Sequence, residues 1–376
     1  MMTRRALLAL AVSLAVLATP ARAQAPAQGI PTRLTDQEFW KFIVDVSEPG
    51  GYFRSDNFVS NELGMQYVIP ELQRTGKPGG IYLGVGPDQN FTYIAELKPK
   101  MAVIFDIRRG NLHMHMMYKA LFEMSSDRAD FISRMFSKPR PVRLDSTTTV
   151  DSLWTAYWYV ATDSVLYRRN LAAIKDHLVK THGFALTPDD LLGIDYVYTG
   201  FYVEGPVINY SYGGNQGGGG RGGNYPGFAD LTVQSDRAGV KRSFMASEAN
   251  FRVIKDMHTR NVIIPVVGNF AGPTAIRRVG AYMRERGATV TTIYTSNVEQ
   301  YLFQQGDEWS RYYENVATLP LDSTSMFIRS VGTGNTSRFA SPDGRLPSVL
   351  SSVQGLIAAY RANQIFSYAD VINFSH

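Results

Sequence analysis

Two glycines and an acid twenty residues beyond them are the residues of this chain best placed to do chemistry. Gly84 and Gly86 follow a short apolar run, Ile81 to Leu83, and Asp106 closes a second run, Met101 to Phe105. A glycine where a strand turns into a helix lets a ligand approach the backbone and the helix N-terminus. A carboxylate at the end of the next strand is where the two hydroxyls of an adenosine ribose are accepted. Asp88, Asn90, Arg108 and Asn111 follow the same two runs, and Asp236 and Asn269 follow later ones. Ligands of open α/β sheets sit beyond the carboxyl ends of strands, which places these polar residues at one crevice. Asp88 and Asn111 also read as helix caps. The pattern is GxGxxQ: Gln89 stands where a dinucleotide fingerprint has its third glycine, and Pro87 removes a backbone donor from the turn.

For acid-base work the candidates are Glu62 and Glu204, both among aromatic and glycine or proline neighbours, with Asp236 as a third. Partial burial raises a carboxyl pKa toward the range useful in proton transfer; a structural buried carboxylate is the competing reading of each. Other constellations are thin. His113 and His115 lie two apart on an expected helix and point to different faces, so they do not converge on copper. His177 and His182 fall near a helix end and its cap, and read as surface residues. There is no HExxH, no GxSxG elbow and no cysteine, so zincin, serine-hydrolase, thiolate-metal and disulfide chemistry have no support. No metal is expected.

The elements that must position these groups alternate. Thr35 and Glu38 form a capping box opening a helix to about Val46. A helical pattern spans Leu63 to Arg74. A strand, a helix from Asn90 to Leu97 and a second strand follow. Continuous apolar runs rich in Val and Ile suit parallel strands covered on both faces. The same grammar predicts a strand at Ala229–Val233, a helix at Ala246–His258, a strand at Val262–Val267, a helix at Pro273–Arg286, and strands at Ala288–Tyr294 and Met326–Val331. The stretch from about 111 to 181 reads as a large helical insertion with a heavy aromatic load, Trp154, Tyr157, Trp158, Tyr159 and Tyr167. It is either a wall over the ligand crevice or a cover that closes the core. The expected fold is α/β: a Rossmann-like, mostly parallel central sheet with helices on both faces. Residues 213–223, GGNQGGGGRGG, read as a flexible loop, because glycine loses the most backbone freedom on ordering.

At Gly84-Val85-Gly86 and Asp106 the chain resembles the class I S-adenosylmethionine-dependent methyltransferases. YLGVGPDQNFTYI, VIFDIRRGN, SDNFVSNE and VVGNFAGP are similar to an uncharacterised family with that Rossmann-like fold. The resemblance implies methyltransferase-type topology, with Phe228 to Leu231 as fourth strand. It also implies an adenosyl ligand, S-adenosylmethionine, held by Gly84, Gly86, Asp88, Asn90, Asp106, Arg108 and Asn111. The chain lacks the aromatic-proline tetrad of nitrogen methylators, having Thr232, Gln234, Ser235 and Asp236 there. A noncatalytic binding or structural protein with a lost or exchanged cofactor is the alternative.

Arg4 and Arg5, the apolar run Ala6–Leu17 and Ala21-Arg22-Ala23 have the three regions of a cleavable export signal, so 1–23 is expected to be removed after Ala23, leaving a periplasmic or secreted protein. The run is shorter than the roughly 20 residues of a membrane span, so no stable membrane anchor is expected. Cleavage removes three arginines and no acid, taking the net charge from +5 to 5 − 3 = +2. Basic residues are spread among acids, which argues against a nucleic-acid partner and leaves a small molecule. Residues 24–33 read as a linker and 34–376 as one α/β domain.

Overall fold

The computed structural model describes residues 29–212, 225–331, 339 and 347–376. The export signal and the glycine-rich loop at 213–223 lie outside the described residues. Six strands form one sheet: β1 (Ile81–Val85), β2 (Met101–Asp106), β3 (Ile263–Val267), β4 (Val290–Ser296), β5 (Met326–Ser330) and β6 (Ser348–Ser352). The order is β3-β2-β1-β4-β5-β6, parallel throughout except for β6, which runs antiparallel to β5 at the edge. Every residue of β1, β2, β3 and β5 is buried, as is all of β4 before Ser296. Successive side chains point to opposite faces, so the sheet is covered on both, and its apolar runs are continuous for that reason. This is a Rossmann-like α/β fold. The order reverses between β1 and β4, the switch point at which such sheets open a crevice.

The helices are α1 (Asp36–Val46), α2 (Ile69–Thr75), α3 (Gln89–Leu97), α4 (Arg109–Met124), α5 (Arg128–Phe136), α6 (Val150–Trp158), α7 (Ser164–Asp176), α8 (Pro188–Glu204), α9 (Phe228–Thr232), α10 (Glu248–Thr259), α11 (Ala275–Glu285), α12 (Val298–Leu302), α13 (Glu308–Val316), α14 (Val353–Arg361) and α15 (Tyr368–Asn373). The expected capping box opens α1: Thr35 accepts from Glu38 N, and Glu38 accepts from Thr35 N at 2.7 Å. A π-helical turn, His177–Thr181, continues α7. No described helix is long and apolar enough to cross a membrane.

Two expectations change. The run at Ala229–Val233 is not a strand but the core of α9, whose Asp230 accepts from Gly227 N at 2.9 Å. A short apolar run does not distinguish strand from helix by period, and here the glycine and acid form the N-terminus of a helical turn. The helical insertion therefore runs further than 181, through α8 and α9, before the chain returns to the sheet at β3. Its aromatic residues split: Trp154 and Tyr157 are buried, whereas Trp158 and Tyr159 are exposed. Trp154 donates to Thr232 Oγ1 at 2.7 Å and Tyr157 to the Ala129 carbonyl at 2.7 Å. These bonds knit the insertion together internally, and none of the five aromatics lines the crevice.

Candidate functional site

The first glycine of the turn serves the fold. Gly84 lies inside β1, and a Cβ there would meet Asn90 Oδ1 at 1.9 Å. Asn90 fills that space. Its Nδ2 donates to the carbonyls of Val85 at 2.8 Å and Pro87 at 2.7 Å, and its Oδ1 accepts from Tyr82 OH at 2.8 Å. Asn90 thus staples the end of β1 to the start of α3. Gly86 is different: its φ of 76° is a left-handed value that favours glycine, and the nearest atom to a Cβ there is Gln89 Nε2 at 3.8 Å. His115 Nε2 donates to the Gly86 carbonyl at 2.8 Å, and burial pushes its imidazole down to about 4, so the ring is neutral.

Beyond the carboxyl ends of β1, β2 and β4 lies a cleft of about 170 Å³. Gly86, Gln89, Asp106, Arg108, Glu62 and Ser296 line it, with the aromatic side chains of Tyr52, Phe53, Tyr210, Phe270 and Tyr301. Five amides besides Gln89 also border it: Asn57, Asn61, Asn269, Asn297 and Gln305.

Asp106 sits at the end of β2 as expected, but it is engaged. Arg108 Nε and backbone N donate to Oδ1 at 3.1 and 2.8 Å, and a terminal guanidinium nitrogen donates to Oδ2 at 2.8 Å. The other terminal nitrogen holds the carbonyls of Ser55 and Asp56. A carboxylate offers about four acceptor positions, and three of Asp106's are taken. A ribose diol asks for one acceptor from each oxygen, and Oδ1 has none left. With Arg108 in place, the residues do not fit the two-hydroxyl clamp of an adenosyl cofactor.

Glu62 is the group that sequence position alone would not rank first. It is 2% exposed. Tyr294 OH donates to its Oε1 at 2.7 Å, Ser296 Oγ donates to the same oxygen, and Gln89 Nε2 donates to Tyr294 OH at 2.8 Å. Oε2 is buried and has no hydrogen-bond partner. Burial raises the Glu62 carboxyl, and the two hydroxyl bonds only partly offset it. Ser296 adopts φ 50° and Asn57 φ 48°. Left-handed non-glycine residues are uncommon and cluster where structure is held for function, and both of these border the cleft.

The remaining expected residues are dispersed. Asp88 is buried at the start of α3 without capping it, and burial lifts its carboxyl to about 7. Neither Asp88, Asn90 nor Asn111 lines the cleft. Glu204 is exposed at the end of α8. Asp236 follows no strand; it accepts from Ala238 N, Val240 N and Arg242 Nε and closes a loop. Asn269 does border the cleft, and Glu48, overlooked in sequence, builds its loop by accepting from the backbones of Asn269, Thr274 and Ala275 at 2.8–3.1 Å. His113 and His115 diverge, the first bonding to Asp190 at 2.8 Å. Tyr294 and Ser296 also went unranked, though their place at the end of β4 is the signal that finds them.

A family model described as a domain of unknown function (DUF7790) matches residues 57–179 and 228–371, more than half of the chain. No curated protein matches it.

Proposed function

We propose that the chain, which belongs to the DUF7790 family, uses the cleft at the β1/β4 switch point to hold an uncharged small molecule, with Glu62 presenting its carboxyl to it. The observation that carries this reading is the one-sided grip on Glu62. Tyr294 and Ser296 hold Oε1 while Oε2 is left buried and unpartnered. A carboxyl whose pKa burial raises is moved toward the range in which it donates a hydrogen bond or a proton. The lining disfavours an anionic partner, since Asp106 and Arg108 cancel and Glu308 adds a negative charge. Aromatic rings and amides suit a ligand with a flat or apolar face and several hydroxyl or amide groups.

The methyltransferase-like reading is the second. Gly86 and Asp106 stand at adjacent strand ends beside one cleft, which favours it, and the Arg108 clamp opposes it. Calorimetry separates the two. We expect S-adenosylmethionine, S-adenosylhomocysteine and adenosine to give no heat with the wild type, and a thermal-shift panel of neutral sugars, nucleosides and amides to give a hit that Glu62→Gln weakens. Stoichiometric binding of S-adenosylhomocysteine, lost in Asp106→Ala, would restore the cofactor reading. A panel hit indifferent to Glu62→Gln would remove Glu62 from the site. The leader pattern of residues 1–23 supports export; finding only full-length product in the cytoplasm of expressing cells would refute it.

A further inference from the structure

At the far end of α4, about 21 Å along the helix from the cleft at 1.5 Å per residue, three side chains converge. His177 Nε2 and His182 Nε2 each lie 2.7 Å from Glu123 Oε2. The two histidines are five residues apart, a spacing that in an α-helix turns them about 140° from each other at 100° per residue. The π-helical turn removes that angle: His182 N donates to the His177 carbonyl at 3.1 Å, an i to i+5 bond that brings the second ring over the first. The rings meet at 86° with centroids 4.8 Å apart, so both Nε2 atoms face one point.

We propose that Glu123, His177 and His182 form a divalent transition-metal site, best suited to zinc, with a fourth position open to water. Two imidazoles and one carboxylate are a recurrent zinc donor set. A second observation points the same way: His182 Nδ1 donates to Asp36 Oδ1 at 2.7 Å. A carboxylate behind a histidine fixes the tautomer that leaves the other nitrogen free to ligate. Asp36 is itself fixed by Asn261 Nδ2 at 2.9 Å, and the His182 ring stacks on Phe184 at 4.9 Å and 1°. Metal–ligand bonds of roughly 2.0–2.1 Å in a tetrahedron need ligand atoms about 3.3 Å apart, so the present 2.7 Å contacts open by about 0.6 Å to admit the ion. The side chains are 7% to 20% exposed, which leaves a route in. Lys119 Nζ holds Glu123 Oε1 at 2.7 Å and leaves Oε2 to the metal. An ion here ties α1, α4 and the π turn together, a structural role on the helical insertion.

The competing account is a metal-free ion-pair cluster in which His182, its pKa raised by Glu123 and Asp36 against the effect of burial, stays charged. Dialysis of the full chain against Zn²⁺, followed by metal analysis, distinguishes them. One equivalent is expected, with loss in His177→Ala and His182→Ala, and a 10- to 100-fold weaker affinity in Asp36→Asn, as for lost metal-orienting partners. Zinc should also raise the wild-type melting temperature by mass action. If the histidine variants do not fold, Co²⁺ added to the wild type decides: intense visible bands of a tetrahedral ion support the site. Substoichiometric zinc with no cobalt bands, or binding unchanged in His177→Ala, overturns it.

Discussion

Replacing Asp88 by asparagine should stabilise the protein, and the gain should grow with pH. Asp88 is 2% exposed, its Oδ1 has no hydrogen-bond partner, and burial raises its carboxyl from 3.8 to about 7. Between those values the folded protein keeps a proton that the unfolded chain has released. Stability therefore falls as pH rises through the window from about 4 to about 7, and is level outside it. At 1.36 kcal/mol per unit, a shift of about 3 units amounts to about 4 kcal/mol lost by pH 8. Asparagine carries no such loss. The positive end of α3 favours the charged form by about 0.3–1 kcal/mol, which trims the effect without reversing it. Asparagine adds a hydrogen-bonding offset of its own, but that offset does not vary with pH, so the informative quantity is the slope. Urea unfolding of both proteins from pH 4 to 8 should show the difference in stability, mutant minus wild type, climbing across the window. A difference that stays flat from pH 4 to 7 would mean Asp88 folds ionised, and the burial argument fails.

Three further outcomes follow from buried charge. Glu62→Gln should gain stability over the wild type as pH rises above about 4.5, at up to about 1.4 kcal/mol per unit, because the folded carboxyl titrates above the unfolded one; equal pH profiles would show that Glu62 is ionised in the fold. Arg108→Met leaves Asp106 without its guanidinium, and a broken buried pair costs about 3–5 kcal/mol. Adding Asp106→Asn should recover part of that loss in urea unfolding, and strict additivity would deny the coupling. Glu299→Gln strands the Arg329 guanidinium, fully buried and held by both Glu299 oxygens. A loss of about 3–5 kcal/mol is expected, and a loss below about 1 kcal/mol would show that the pair is solvated.

The parallel sheet was legible because its strands are covered on both faces, so Ile81–Leu83 and Met101–Phe105 read as unbroken apolar runs. The α1 capping box and the residues at the ends of β1 and β2 followed from local chemistry. What was not legible depended on partners that only the fold supplies, or on local geometry that the sequence pattern does not carry. Glu62 stands out in sequence only as a carboxylate among aromatic and glycine neighbours; its one-sided hydrogen bonding needs Tyr294 and Ser296 from β4, more than 230 positions away. Asp106 changes meaning through Arg108, two positions on, whose guanidinium folds back under the carbonyls of Ser55 and Asp56. His177 and His182 read as surface residues near a helix end, because the π turn that brings both to Glu123 leaves no mark in the sequence pattern. The run at 229–233 was misread because five apolar-rich residues carry too little periodicity to separate strand from helix.

A motif of two glycines and an acid is compatible with two uses of the same geometry, one that opens space for a ligand and one that fills it from within. Here the space over Gly84 is taken by Asn90, and most of the acceptor capacity of Asp106 by Arg108. Both substitutes are internal, hydrogen-bonded and buried, so displacing either would expose unpaired polar groups costing about 1–3 kcal/mol each, and more where charged. Glu62 Oε2 carries no such internal partner. A ligand that reaches it gains a hydrogen bond without breaking one, whereas a ligand reaching for Asp106 with two hydroxyls must first compete with a guanidinium. That asymmetry moves the expected point of recognition from the end of β2 to the gap between β1 and β4.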